Sequence, residues 1–355
     1  MLQFFTNHLL LLIIFILLHE SPPCTAVRST PQLTLLYTDI AAEMQNAGIF
    51  CNSRRNSHVI CISQLKQYFR RFGYLPAQNY NKSLESTIIR YQSKLGLAVT
   101  GKLDFETLSQ ILAPRCGVPD SDTAAAPRTL HATKDYVLFP GKPRWIRHIP
   151  MKLTYAFSND NMINYLNISD IKLVFKRAFA KWASVIPVSF VVTDDYDFAD
   201  IRIGFYSGDH GDGEPFDGVL GVLAHSFSPE SGKFHLDAAE KWAVDFETEK
   251  SPVAVDLESV AVHEIGHLLG LAHSPVKDAV MYPTLKPRDK KVDLALDDIR
   301  GVQALYGSNP NFKIGSLLES DISTNQAVHL RIGTYAWTWL MVNLVICFNL
   351  HLIFA

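Results

Sequence analysis

Apolar residues recur at helical spacing in three short stretches near the start of the chain. Leu65, Tyr68, Phe69 and Phe72 fall on one face of residues 63–72, and Leu84, Ile88, Tyr91 and Leu95 on one face of residues 83–95. The pattern predicts a helix in each, the second opened by Ser83. Residues 99–103 (VTGKL) then read as a turn before a third helix over residues 104–112. Three short amphipathic helices make a small all-α domain. Residues 120–134 are small and polar with one proline, which predicts an exposed linker.

From Tyr136 the pattern changes. Residues 152–157 (KLTYAF) alternate as a strand, and residues 188–192 and 201–205 read as two more. Between them, Ile171, Val174, Phe175, Ala178, Phe179 and Trp182 line the inner face of a long helix over residues 170–185, with Ser169 as its expected cap. A loop rich in Gly, Asp and His fills residues 207–221. A second long helix is expected from Pro252 to Leu269, where Gly270 ends it, and a third over residues 296–305. Strands, a helix, more strands and two helices indicate an α+β domain of about 170 residues.

Both termini carry apolar runs. Residues 9–18 (LLLLIIFILL) are too short to span a bilayer and suit the core of a signal peptide, with cleavage expected near Thr25 and Ala26. Residues 335–355 are long enough to cross, yet no Lys or Arg follows them to hold a cytoplasmic end. Small residues at Ser316, Ser320, Ser323 and Asn325 precede this tail across a polar spacer. That order favours a glycosylphosphatidylinositol (GPI) attachment signal, with the tail removed, over a genuine span.

The formal net charge of -2 and the lack of a basic cluster give no footing for nucleic acid. Of five cysteines, Cys24 leaves with the signal and Cys347 lies in the tail. In an oxidising compartment Cys51 and Cys61 are available to pair, which leaves Cys116 as an odd thiol. The sequons at Asn81 and Asn167 fit the same secretory route.

The sharpest motif is His263-Glu264-Ile265-Gly266-His267, extended through Gly270 to His273. Positions i and i+4 share a helix face, so His263 and His267 can meet one metal ion. Gly270 lets the chain leave the helix and brings His273 round as a third ligand. Three protein nitrogens leave the fourth position of zinc open for water, the mark of a catalytic rather than a structural site. Glu264, beside the first ligand, suits a general base for that water.

With Ala279-Val280-Met281-Tyr282-Pro283 downstream, this motif resembles the metzincins, and among them the matrixins. The likeness runs from about residue 64 to residue 307, and the short chain with no haemopexin-like domain looks like the plant members. It implies a metzincin-type zinc endopeptidase of protein or peptide substrates, with Met281 as the floor of the site. Pro114-Arg115-Cys116-Gly117-Val118-Pro119-Asp120 matches the family's cysteine switch. There Cys116 would block the zinc of a precursor, Arg115 and Asp120 would pair to shape the loop, and an activating protease would remove residues up to about 135.

The resemblance also maps a structural zinc onto His210, Asp212, His225 and His235, a closed four-ligand set. It maps a calcium ion onto Asp217, Asp237 and Glu240 with carbonyls of Gly218, Leu220 and Val222. Here the chain departs from animal relatives. Residues 228–234 are short, and Lys233 stands where a further acidic ligand would sit, so Asp200 lacks partners for a second calcium. Leu285 replaces a common aromatic after the methionine turn, so the specificity pocket does not transfer. Asp298 matches the acid that receives the new N-terminus, which aligns near Tyr136, and Leu223 and Ala224 match a strand edge where substrate adds.

The domain expectations are a signal at 1–26, a pro-domain at 27–135, a catalytic domain at 136–307, a spacer at 308–334 and a tail at 335–355. A competing reading makes the N-terminal helices, which resemble peptidoglycan-binding domains, a cell-surface glycan-binding module with an incidental metal domain. Such a module has no need of Glu264, His273 and Cys116 together.

Overall fold

Three helices form where the apolar spacing predicts them: α1 Ile62–Arg71, α2 Leu84–Lys94 and α3 Phe105–Leu112. Ser83 caps α2 by accepting the Ser86 amide, and Asp104 caps α3 by accepting the Thr107 amide. Each satisfies a donor that a first helical turn leaves free. Tyr68 and Phe69 of α1 and Phe72 just after it cluster with Tyr74 and Tyr91, with neighbouring ring centroids 4.7–6.1 Å apart and mostly edge to face. Gln92, buried on α2, accepts the Thr100 and Gly101 amides and so pins the turn that precedes α3.

The computed structural model describes residues 50–51, 59–60, 62–75, 83–120 and 136–313. The chain divides into two compact units, residues 1–65 and 66–355. In the first, β1 Phe50–Cys51 pairs antiparallel with β2 Val59–Ile60. The signal-type segment 9–18, the Cys51–Cys61 pairing, the Asn81 sequon, the linker after Asp120 and the apolar tail lie outside the described residues. Among the described residues no helix is long and apolar enough to cross a membrane.

The larger unit is built on a six-stranded sheet. Its strands are β3 Arg115–Cys116, β4 Met151–Phe157, β5 Val188–Val192, β6 Ile201–Tyr206, β7 Val222–Ser226 and β8 Lys233–Asp237. The spatial order is β3-β7-β8-β6-β4-β5. Strands β4, β5, β6 and β8 run parallel, β7 runs against β8, and β3 lies parallel to β7. Helix α4 Ile168–Val185 packs its apolar stripe against the sheet and against α5 Leu257–Leu268, and Trp182 Nε1 donates to Val262 O at 2.9 Å. Helix α6 Leu296–Tyr306 closes the domain, and the α+β class stands as expected.

Three local expectations change. Helix α4 begins earlier than predicted, because the Asn167 side chain, not Ser169, caps it by accepting the Ser169 amide. Helix α5 begins at Leu257 rather than near Pro252, because Asp256 accepts both the amide and the hydroxyl of Ser259. The intervening residues pair instead, as β10 Val255–Asp256 lies parallel to β9 Trp242–Ala243. Strand β8 was not expected at all, although its sequence KFHLD alternates polar residues with the buried Phe234 and Leu236; the run is only five residues long, and the reading weighed its His and Asp as ligands instead.

Every residue of α5 is buried, so its packing sets the depth of whatever it carries. A Cβ built on Gly266 would run into Met281 Sδ and come within 3.0 Å of Trp182 Cζ2. Glycine at this position lets α4, α5 and the Met281 turn approach closely. Gly266→Ala is expected to lower unfolding stability by about 1–3 kcal/mol through overpacking, read from urea transitions at unchanged slope.

Candidate metal centre and active site

His263 and His267 sit one turn apart on α5, which ends at Leu268. Gly270 takes φ +103°, a conformation that L side chains rarely adopt, and the chain turns back to deliver His273. The three Nε2 atoms then lie 3.1–3.2 Å from one another. Each ring's other nitrogen faces an acceptor: His263 Nδ1 meets Val280 O at 2.7 Å, His267 Nδ1 meets Leu271 O at 2.8 Å, and His273 Nδ1 meets Asp120 Oδ1 at 2.6 Å. A proton on each Nδ1 leaves a lone pair on each Nε2, so three lone pairs converge on one point. Burial pushes all three rings toward the neutral form, the state that binds metal.

Cys116 Sγ completes the cluster, 3.5 Å from His267 Nε2, and the four ligand atoms lie within 4.8 Å of one another. Tetrahedral zinc with ordinary bond lengths holds nitrogens about 3.3 Å apart and a sulfur about 3.6 Å from each. The residues therefore fit zinc. Burial and the facing Glu264 carboxylate push the Cys116 thiol well above its ordinary value, a shift that a cation beside the sulfur reverses.

Glu264 is buried behind its neighbours, and Ser226 Oγ donates to its Oε2 at 2.7 Å. Burial pushes the Glu264 carboxyl up to about 7, against the hydrogen bonds from Cys116 and Ser226 that pull it down. Ser226 is a site residue that sequence reasoning missed. Nothing local marks it, because it reaches Glu264 only through the placement of β7.

The segment carrying Cys116 is held on two sides. Arg115 N donates to Gly221 O and Gly117 N to Ala224 O along β7, while Cys116 N donates to Pro283 O and Leu285 N donates to Pro114 O. Arg115 Nη2 and Asp120 Oδ1 pair at 2.6 Å with both side chains buried, and the guanidinium lies 3.6 Å over the Phe72 ring. Tyr74 Oη donates to Asp120 Oδ2 at 2.7 Å. Burial opposes it, yet Arg115 and His273 hold the Asp120 carboxyl well below the ordinary carboxylate range. A Cβ on Gly117 would come within 2.7 Å of Val222 Cγ1 and 3.3 Å of His225 Cβ. The roles of Tyr74 and Phe72 also escaped the sequence reading, which placed Phe72 on the apolar face of a helix and did not single out Tyr74.

His210, Asp212, His225 and His235 form the second cluster of ligand atoms within 4.8 Å. The antiparallel register of β7 and β8 sets His225 opposite His235. Asp212 Oδ2 lies 2.7–2.8 Å from a ring nitrogen of each of the three histidines. His210 Nδ1 is 3.0 Å from Gly208 O, which puts the proton there and turns the Nε2 lone pair toward the carboxylate. Two lone pairs facing at 2.8 Å need a cation between the groups, so this set also fits zinc. Burial pushes His225 down and His235 down to about 4, which keeps both neutral.

Asp217, Asp237 and Glu240 lie beside the loop at residues 217–222. The contacts shown from that loop are amides: Gly218 N donates to Asp237 Oδ2, Leu220 N to Glu240 Oε1 and Val222 N to Asp217 Oδ1. Their ligand atoms do not converge as the two histidine clusters do. Burial and the neighbouring Asp237 raise the Glu240 carboxyl to about 8, and its Oε2 is buried with no hydrogen-bond partner. An orphaned buried oxygen among three carboxylates fits a hard cation such as calcium. Asp200 is differently placed, because Arg147, the Thr154 amide and the Thr154 hydroxyl occupy its oxygens.

Beside His263 and Glu264 a cavity opens between β7 and the methionine turn, with apolar walls from Leu223, Val260, Val280, Tyr282 and Leu285. Met281 is buried, with its amide donating to Asp298 Oδ1. Asp298 also accepts the Val280 and Ala295 amides, and burial raises its carboxyl to about 6.

Comparison with known proteins agrees with this geometry. The matrixin family profile matches residues 144–307, and a peptidoglycan binding domain profile matches residues 62–111. Metalloendoproteinase 4-MMP of Arabidopsis thaliana is 60% identical over 340 residues, which cover 93% of this chain and 98% of the relative. Metalloendoproteinase 1-MMP of the same plant is 51% identical over 296 residues, covering 81% of this chain and 79% of that one. Human matrix metalloproteinase-20 is 38% identical over 267 residues, 73% of this chain and 50% of the relative. With three imidazoles set for zinc on the expected helix and turn, the chain belongs to the matrixins and is a zinc metalloendopeptidase.

Proposed function

We propose that this matrixin is made as a latent precursor, with segment 114–120 as its plug, and that it cleaves proteins outside the cell. The observation that carries this reading is the place of Cys116, whose Sγ stands at the fourth corner of the three-histidine cluster. A thiolate there is a strong ligand in the position that water needs. β3 also covers the β7 edge at Leu223 and Ala224, where a substrate backbone would add as a strand. Removal of residues up to about 135 by an activating protease uncovers both.

His263, His267 and His273 then hold the catalytic zinc, which supplies the Lewis acidity that lowers the pKa of a water from about 15.7 to about 7. Glu264 would take a proton from the attacking water and return it to the departing amine. Ser226 fixes one oxygen of Glu264 and so the plane in which the other works. The apolar cavity takes a substrate side chain and sets the register of the peptide. His210, Asp212, His225 and His235 hold a structural zinc, and Asp217, Asp237 and Glu240 hold calcium with the loop 218–222. Asp298 receives the new N-terminus formed near Tyr136. Residues 9–18 direct secretion, and a lipid anchor replaces residues 335–355.

Three outcomes test these statements. Glu264→Ala should lower kcat of the activated chain by about 10²–10⁴ while metal analysis finds its zinc unchanged; retained turnover would remove the general-base role. Cys116→Ser, and more weakly Gly117→Ala, should give a precursor that processes itself during purification, seen as loss of the N-terminal segment on a gel. A stable, latent Cys116→Ser chain would overturn the plug. Mass spectrometry of the membrane-extracted protein should find no peptide from residues 335–355, and recovery of that tail refutes the anchor.

A further inference from the structure

The three zinc-type ligands are not held alike. His263 and His267 give their Nδ1 protons to backbone carbonyls of Val280 and Leu271, both within the catalytic part of the chain. His273 faces Asp120 instead, at 2.6 Å, with both side chains almost fully buried. Asp120 belongs to the same seven-residue segment as Cys116. Its carboxylate is already paired with Arg115 at 2.6 Å and accepts the Tyr74 hydroxyl at 2.7 Å, so the contact with His273 is built into a fixed network. The charge is balanced without the histidine. The aim of Oδ1 at His273 Nδ1 therefore serves the ring.

We propose that Asp120 is a positioning residue of the catalytic metal site, acting through His273 for as long as segment 114–120 stays docked. This rests on the latency reading of Cys116. A carboxylate on the far nitrogen of a metal-ligating histidine fixes its tautomer and ring plane and makes the ring a stronger donor. Segment 114–120 then contributes to the metal twice, directly through Cys116 and indirectly through Asp120. Its departure takes away two anionic groups together. The metal is left with a weaker third ligand and less charge around it, so the precursor holds its ion more tightly than the activated chain does.

The test uses the full-length precursor loaded with cadmium-113 as the probe metal. The cadmium resonance of the cluster at His263, His267 and His273 should carry the shift of one thiolate ligand, which the all-nitrogen-and-oxygen second cluster cannot give, and the Nδ1 proton of His273 should resonate downfield of those of His263 and His267. Asp120→Asn should move that proton upfield and weaken cadmium binding, read by competition with a chelator, by about 10–100-fold, the usual effect of removing such a partner. Tyr74→Phe, which removes a donor from the other Asp120 oxygen, should leave the proton in place. A His273 proton that coincides with the other two in the unaltered precursor overturns the inference, whatever the variants do. So does an equal displacement by Tyr74→Phe, which would make it an effect of loop shape. A cadmium resonance without thiolate character would instead refute the latency reading, and the His273 proton would still report on Asp120.

Discussion

Three neutral imidazoles with their lone pairs aimed at one point, 3.1–3.2 Å apart, repel one another unless a cation sits among them. The structure is arranged to keep them there. Helix α5 is buried over its whole length, so two of the rings cannot turn away to solvent. The backbone carbonyls of Val280 and Leu271 hold the far nitrogens, which fixes the tautomers before any metal arrives. Gly266 brings the Met281 turn against α5, and Asp298 holds that turn by accepting the Val280 and Met281 amides. A helix, a turn and a helix N-terminus thus fix one cation site, and binding of the ion is coupled to the stability of all three.

Much of this was legible in the sequence, for a physical reason. The spacing of His263 and His267, the exit at Gly270 and the return of His273 are local, and local geometry follows from helical period and glycine's freedom. The three N-terminal helices and α4 were equally readable, since each buries one stripe. Strand β8, whose five residues alternate polar and apolar, and the Asp256 cap of α5, which reaches only to Ser259, were local signals that the reading passed over. The site contacts were missed for a different cause. Ser226, Tyr74 and the Phe72 face under Arg115 gain their roles from partners between 38 and 46 positions away or on another element. No single-sequence pattern encodes such contacts.

Strand β7 shows how closely the functions are layered. Neighbouring residues on a strand point to opposite faces, so His225 enters the second metal cluster while Ser226 reaches Glu264. The backbone between Gly221 and Ala224 accepts amides from Arg115 and Gly117 along the same stretch. Displacement of β7 would therefore disturb the second cluster, Glu264 and the seat of segment 114–120 at once. The second cluster joins the loop at 207–221, which brings His210 and Asp212, to the β7–β8 pair, which brings His225 and His235.

The same strand explains why segment 114–120 needs glycine after its cysteine. Cys116 reaches the three rings only if the chain lies flat on β7, and a side chain at residue 117 would meet Val222 and His225. On the other side Arg115 is sandwiched between the Phe72 ring and Asp120, so the loop cannot slide along the strand. A buried ion pair gains little stability by itself, because desolvation offsets most of its attraction. Its role here is geometric. The pair holds Cys116 at one end of the loop and Asp120 at the other against the same metal centre. Neither the thiol nor the carboxylate reaches that centre unless the whole segment is seated.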